Sequence, residues 1–377
     1  MVWAGVLLHP ARPWDMHPVD ADDPAAPHPD PWPSVGVIVP ARNERLLIGG
    51  TLHGLTAQDY PGPLRIVVVD DRSGDGTADV ARAAAAGSPR PVDVVSGQAL
   101  PDGWVGKVWA MQQGVRHLAR DGAPPPEWIL LTDADIRHTP DSLRLLVGDA
   151  VHRGVALNSR MARLRCRSVA ERLLIPPFVL FFFLLYPLRW ANRAGSRLAS
   201  AAGGCILVRS DALEAGDGLQ AVRGALIDDL ALARRVKRHG GGATRLALSR
   251  DRVRSERAYD DLGSVWHMVR RCAFTQLNRS WLVLIGVLVV MLLMFAGPPV
   301  ALVAGVAGVT TGGGLWAGVA LAIGALAWAA MAVASGPVTR EFGLGPAWRM
   351  ALPVSGLIYG AMTLDSALRG PRGGGWR

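Results

Sequence analysis

An α/β fold with a doubly wound, mostly parallel sheet is predicted by three observations. Short β-branched runs alternate with helix-forming segments over residues 35–132, the pattern of strand–helix–strand units that cross over in parallel. The runs at 35–40, 65–69 and 128–132 are each followed by polar or acidic residues: Asn43 and Glu44, then Asp70 and Asp71, then Asp133 and Asp135. Open α/β sheets bind ligands at that edge. Neither GxGxxG after the first run nor GxxxxGK[ST] anywhere is present, so a dinucleotide-binding loop and a P-loop are both excluded.

The elements follow in order. Val35-Gly36-Val37-Ile38-Val39-Pro40 is a buried strand closed by proline. Residues 46–56 have helical spacing. Arg65-Ile66-Val67-Val68-Val69-Asp70-Asp71 is the second strand, and the Gly-bearing turn 72–77 leads to an Ala-rich helix at 78–86. Residues 92–95 form a third strand, 109–118 a helix and 128–132 the strand before Asp133. A helix at 140–151 and a strand at 155–163 come next. Gly203 and Gly204 precede a strand ending at Arg209, where missing side chains let backbone approach a ligand closely. A helix at 226–236 opens on Asp228 and Asp229. Acids suit a first turn because of the helix dipole, so capping competes with chemistry there. Residues 243–248 are the expected final strand.

Composition divides the chain. Apolar residues make up 50% of 377, mean hydropathy is +0.23, and the excess lies mostly after Trp281. Net charge is +9 and almost wholly arginine, the lysines being Lys107 and Lys237. Many arginines precede the apolar third, as on the cytoplasmic flank of membrane spans or against anionic lipid. No helix-turn-helix or zinc-finger spacing accompanies them, so nucleic acid is not an expected partner. Cys166, Cys205 and Cys272 form no CxxC pair, against a zinc site or disulfide framework. The domain expectation is a disordered or extended lead-in at 1–33, a catalytic domain at 34–250, a basic connector at 251–280 and about three membrane helices at 281–370. Within the catalytic domain, the proline-interrupted aromatic run at 173–190 suits an interfacial segment or a buried core helix. The spans are expected at 281–304, 316–335 and 347–368. An odd number would put Arg369, Arg372 and Arg377 outside, against the positive-inside tendency.

Asp133-Ala134-Asp135 is the chemical centre. Two carboxylates one residue apart at a strand end are hard ligands for Mg²⁺ or Mn²⁺, which share their coordination with substrate phosphates. A turn would also favour Asp, but acids at neighbouring strand ends point to a ligand site.

The motifs Val39-Pro40-Ala41-Arg42-Asn43-Glu44, Asp70-Asp71-Arg72-Ser73-Gly74-Asp75-Gly76-Thr77, Gly106-Lys107, Asp133-Ala134-Asp135 and Asp228-Asp229 occur in this order. Over residues 34–250 the chain resembles family-2 inverting glycosyltransferases of the GT-A fold. The segment near Phe178, the stretch Arg271-Cys272-Ala273-Phe274-Thr275-Gln276-Leu277 and the apolar C-terminal third resemble the hopanoid-associated membrane members. Those members usually begin with a membrane segment, where this chain has only the apolar residues 2–8; against the resemblance, a truncated or replaced start is the expectation. The resemblance implies that Pro40, Ala41 and Glu44 border the nucleotide base. It places Asp70 or Asp71 on the uracil or ribose, Lys107 near the diphosphate and Asp133 by the ribose or sugar. It makes Asp135 the ligand of the divalent metal and Asp229 the general base, with Gly203, Gly204 and Asp228 on the acceptor side.

The implied activity is a hexosyltransferase that moves a single sugar from a nucleotide-sugar donor, UDP-linked, to a membrane lipid of hopanoid or related polyisoprenoid type. Its implied place is the cytoplasmic membrane, multi-pass, with the catalytic domain facing the cytoplasm. Ceramide-type or polyprenyl-phosphate glycosyltransferases, a processive polysaccharide synthase and an inactive nucleotide-sugar-binding module are the alternatives. Processive synthases carry Gln-x-x-Arg-Trp before a span. Here Gln276-Leu277-Asn278-Arg279-Ser280-Trp281 has one extra residue, which turns a helical side chain by ~100°. Single transfer is therefore favoured.

Overall fold

The computed structural model describes residues 2–16, 28–120 and 124–369. The described residues separate into two compact units, one of residues 2–16, 166–189 and 258–369, the other of 28–120, 124–165 and 190–257.

The second unit carries a seven-stranded sheet. In chain order its strands are β1 (Val35–Ala41), β2 (Leu64–Asp70), β3 (Val92–Ser96), β4 (Trp128–Thr132), β6 (Val155–Met161), β7 (Cys205–Arg209) and β8 (Ala243–Leu248). Their order across the sheet is β3-β2-β1-β4-β7-β6-β8, and β7 alone runs against the rest. β1, β2 and β4 are covered on both faces, which is why they are near-continuous apolar runs rather than alternating ones. Val37, Val39, Ile66, Val68 and Leu130 face one core with helices Ile48–Thr56 and Ser142–His152. Their neighbours Ile38, Val67, Val69, Ile129 and Leu131 face the other, with helices Gly106–Leu118 and Asp228–His239.

Two three-residue strands, β5 (Ile136–His138) and β9 (Val253–Ser255), form a separate antiparallel ribbon. Residues 243–248 are thus not the last strand. Neither β5 nor β9 is long enough to show a period of two. The lead-in expected at 1–33 falls partly on 17–27, outside the described residues. Beyond them Trp32 packs edge-on against Tyr60, whose hydroxyl donates to the Pro33 carbonyl.

In the other unit, residues 173–190 belong mostly to helix Val169–Leu185. A capping box starts it: Ser168 accepts from Glu171 N, and the buried Glu171 carboxylate accepts from Ser168 N. The helix passes through Pro176 and Pro177. Pro177 has no N–H for the Leu173 carbonyl, and Ser355 Oγ donates to that oxygen at 2.7 Å instead. Tyr359 Oη likewise donates to Leu174 O at 2.8 Å. Both donors lie on helix Leu352–Arg369, which buries Tyr359 and Met362.

That burial bears on the expected spans. Among the described residues one helix, Gly314–Ala334, is long and apolar enough to cross a membrane. Trp281–Phe295 and Gly297–Thr310 meet that measure only as a pair bent by 42°. Residues 347–368 are no single span: a short helix Ala347–Met350 ends before Leu352–Arg369, where Asp365 accepts from Trp266 Nε1.

Candidate active site

Three strand ends and one helix start supply the side chains. At the end of β1, Pro40 and Ala41 are buried, and Pro40 lies beyond the last residue paired with β4. The loop that follows is stitched to the loop after β2. Asn43 N donates to Ser73 Oγ, Gly74 N to Asn43 Oδ1, and Glu44 N to Thr77 Oγ1 at 2.8 Å. Asn43 and Arg72 take positive φ, 56° and 54°, to make these turns. Asp71 N donates to Ala41 O at 2.8 Å, and its carboxylate pairs with Arg42 Nη1 at 3.1 Å. Burial raises the Asp71 pKa, with Arg42 opposing. Asp70 is buried too. One of its carboxylate oxygens accepts from Ser73 N, and the other is sealed from solvent with no donor among the described residues. A buried acceptor left open in this way is costly and suits a ligand's N–H or O–H.

At the end of β4, Asp133 pairs with Lys107 Nζ at 2.6 Å. Lys107 stands in the first turn of helix Gly106–Leu118, and Asp228 Oδ2 lies 3.7 Å from the same ammonium. Burial acts to discharge Lys107, but Asp133 and Asp228 outweigh it and keep it charged, with its pKa raised. Burial also pushes Asp133 up, opposed by Lys107 and reinforced by Asp135 and Asp228.

The acids at 228 and 229 open helix Asp228–His239, but Asp229 does more than cap it. Its Oδ1 accepts from Leu230 N at 2.7 Å, and its Oδ2 accepts from Gly203 N at 2.9 Å. Burial and the neighbouring Asp228 push its pKa up to about 7, against the pull of Lys107. Gly203 leaves room for this packing. A Cβ there would lie 3.2 Å from Lys107 Nζ and 3.5 Å from Asp229 Oδ2. At Gly204 a Cβ would meet Ile136 Cδ1 at 2.9 Å. The two glycines therefore make room for the protein's own side chains.

Asp135 belongs to a second cluster. It is 8% exposed, and its Oδ2 accepts from Ser255 Oγ at 2.7 Å and faces Arg257 Nε at 3.3 Å. Arg257 Nη2 reaches Glu44 Oε1 at 2.5 Å. Burial raises the Glu44 pKa, with Arg257 lowering it and Asp135 and Asp133 adding to the rise. Sequence reasoning missed Arg257, Ser255 and Arg42. Arg42 lies inside the first motif and could have been weighed as a partner for Asp71. Nothing local marks the other two.

Five carboxylates (Glu44, Asp133, Asp135, Asp228 and Asp229) thus share the site with two cations, Lys107 and Arg257. This excess of negative charge fits a divalent ion. Among the described residues no three His, Cys, Asp or Glu side chains are arranged to hold one by themselves. Mg²⁺ and Mn²⁺ commonly take one or two carboxylates and complete their shell from substrate phosphates.

The sheet and its acidic edge are those of a GT-A-like fold, and the sequence profile described as "Glycosyltransferase like family 2" matches residues 33–273. The chain belongs to that family. It is 37% identical over 103 residues to the 4,4'-diaponeurosporenoate glycosyltransferase of Staphylococcus aureus strain bovine RF122 / ET3-1. The match covers 27% of this chain and 24% of that protein. The enzyme of the same name from strain USA300 is 37% identical over 100 residues, 26% of this chain and 23% of that one. The chain thus matches about a quarter of the length of these relatives. Among solved structures, the mannosyltransferase PcManGT from Pyrobaculum calidifontis, in complex with GDP-Man and Mn²⁺, shares the fold with a TM-score of 0.51. It is 20% identical, with 95% of this chain and 92% of that one covered.

Proposed function

We propose that the chain moves a single sugar from a nucleotide-sugar donor to a polyisoprenoid lipid acceptor, with inversion at the anomeric carbon. The observation that carries this reading is the pairing of a charged Lys107 with a cluster of acids that includes a carboxyl raised to about 7. Such a pair can serve two ends of one displacement.

The acceptor hydroxyl oxygen forms its bond to the anomeric carbon while the bond from that carbon to the diphosphate breaks. Asp229 takes the hydroxyl proton. A base with a pKa near the working pH is the effective kind, and a positioned one contributes ~10²–10⁴-fold. The backbone N–H groups of Gly203 and Leu230 hold the carboxylate in place, and each oxygen keeps a lone pair. The departing nucleoside diphosphate keeps the electron pair, and Lys107 offsets its charge in a site largely shielded from water. Asp135, with Asp133 beside it, would hold a divalent ion, which when bound adds charge stabilisation at the diphosphate. Asp70 and Asp71 take the base and ribose beside Pro40, Ala41 and Glu44. Gly203, Gly204 and Asp228 stand on the acceptor side.

Two features support a lipid acceptor. The sequence relatives are named for transfer to diaponeurosporenoate. In the apolar unit, Leu282, Leu315, Trp316 and Leu326 are 71–82% exposed on helices Trp281–Phe295 and Gly314–Ala334, a surface suited to acyl chains. We infer a membrane enzyme with its catalytic unit on the cytoplasmic side, and a hopanoid as the acceptor.

The test is lipid mass spectrometry of a deletion strain complemented with wild type or Asp229→Asn. Loss of one glycosylated lipid, restored by wild type alone, supports the reading. An unchanged lipid profile with lost polysaccharide refutes it.

A further inference from the structure

We propose that Arg257 is the resident cation of the donor-free site. It occupies Asp135 until a divalent ion and the donor diphosphate enter together. The inference rests on the reading of Asp135 as a metal ligand.

Four observations carry it. First, Asp135 Oδ2 is engaged twice, by Ser255 Oγ at 2.7 Å and by Arg257 Nε at 3.3 Å. A carboxylate has few acceptor positions, so an ion binding at this oxygen must displace a donor. Ser255 is neutral and buried, whereas the guanidinium would repel the incoming ion. Second, Arg257 has somewhere to go. Its side chain is 39% exposed, and Glu44 holds its Nη2 at 2.5 Å, so it can leave Asp135 and stay anchored. Third, the contact is built into the backbone. Ser255 pairs with Ile136 in the β5–β9 ribbon, and Glu256 N donates to Asp135 O at 2.9 Å. The chain therefore sets Arg257 directly beside Asp135. Fourth, the local charge requires a cation. Arg257 lies between two of them, with its Nη2 2.5 Å from Glu44 Oε1 and its Nε 3.3 Å from Asp135 Oδ2.

The arrangement makes metal binding conditional. An ion arriving alone must break the Arg257–Asp135 pair with nothing in return. An ion arriving with a diphosphate brings an anion that a guanidinium fork can grip with two parallel hydrogen bonds. Arg257 then exchanges Asp135 for phosphate oxygens. This couples the ion to the donor and disfavours a metal-loaded site without substrate.

Mn²⁺ binding to the full chain in detergent, followed by electron paramagnetic resonance, tests this without reference to turnover. UDP serves as the probe diphosphate, with GDP in parallel. Wild type should bind Mn²⁺ weakly alone and tightly with nucleotide. Arg257→Gln should bind Mn²⁺ alone at least about tenfold more tightly, since removing one partner leaves Asp135 an uncompensated charge. Its further gain from nucleotide should shrink. Arg257→Lys should behave more like wild type. Should Arg257→Gln fail to fold by circular dichroism, Arg257→Met keeps the aliphatic stem and gives the same readout. Mn²⁺ affinity unchanged or weakened in Arg257→Gln and Arg257→Met overturns the proposal while leaving the metal reading intact. Nucleotide binding to wild type without Mn²⁺, or Mn²⁺ binding unaltered by Asp135→Asn, overturns the metal reading and the proposal with it.

Discussion

Replacing Asp229 with asparagine should stabilise the protein while it abolishes the reaction. The carboxyl has an ordinary value of 3.8 and is pushed up to about 7 by burial and Asp228. A group raised on folding contributes stability below its unfolded value. That contribution is lost as pH climbs through the folded one. Above pH ~7 the folded chain therefore carries a charged Asp229 at a cost of roughly 4 kcal/mol, since each tenfold change in proton affinity is worth about 1.4 kcal/mol. Asparagine removes the charge but cannot accept from both Gly203 N–H and Leu230 N–H, because one side of the amide is a donor. Facing an N–H with that NH₂ costs about 1–3 kcal/mol. The net gain at pH 8 is then roughly 1–3 kcal/mol, which at ~2–4 °C per kcal/mol for a unit of this size is a rise of several degrees. At pH 5 the charge cost is smaller, so the gain should vanish or reverse. The assay is thermal unfolding of both proteins at the two pH values, followed by tryptophan fluorescence, beside turnover of the nucleotide sugar. Turnover should fall by ~10²–10⁴-fold. Equal destabilisation of Asp229→Asn at both pH values would refute the electrostatic reasoning, and turnover near the wild-type rate would refute the base.

In wild type, log kcat/KM should climb with slope one and level off near pH 7, as the Asp229 proton is lost. Lys107→Met removes the cation that opposes the rise at Asp229, so that limb should move to higher pH while kcat drops by at least about tenfold. A limb that stays in place would separate Lys107 from the base. Gly203→Ala should fold, yet the added methyl presses on Lys107 Nζ and Asp229 Oδ2. A loss of roughly 10²-fold in kcat from small misplacement is expected, measured against an unchanged circular dichroism spectrum. Chelation with EDTA should abolish turnover and added Mn²⁺ or Mg²⁺ should restore it, with activity of the chelated enzyme counting against a metal.

The sheet was legible because its burial is two-sided. β1, β2 and β4 are covered on both faces and nearly all apolar, so they stand out as runs, and their ends are marked where carboxylates begin; β6 is as buried but carries Asn158, Ser159 and Arg160, which blurs its run. The acids at 133, 135, 228 and 229 were legible as types at ordered positions. Their partners were not. Arg257 meets Glu44 across 213 residues of chain, and the ribbon that delivers it has three residues per strand. No local period encodes such a contact. The C-terminal third shows the opposite failure. Hydropathy alone groups Leu352–Arg369 with the spans, yet Ser355 and Tyr359 there serve carbonyls around the Pro176-Pro177 break. The oxygen left open by Pro177 is a feature of helix geometry that composition does not record.

The crowding of acids at the site can also make it selective. Asp133, Asp135, Asp228, Asp229 and Glu44 crowd around two cations, Lys107 and Arg257. A fold seeking only stability would replace these acids with neutral groups, since buried charges retain little net benefit after desolvation. Keeping them makes sense if the missing positive charge comes from outside. A bare diphosphate would add negative charge, and an ion alone would displace Arg257 from Asp135 without giving it a new partner. With Arg257 on Asp135 and Lys107 on Asp133, the resident cations already cover the two carboxylates nearest the strand end. Only a ligand that brings an ion and an anion together can take Asp135 and offer Arg257 phosphate oxygens in its place. Strain stored in this manner clusters at functional sites. Here it would make the crowded carboxylates a discriminator between a complete donor and its parts.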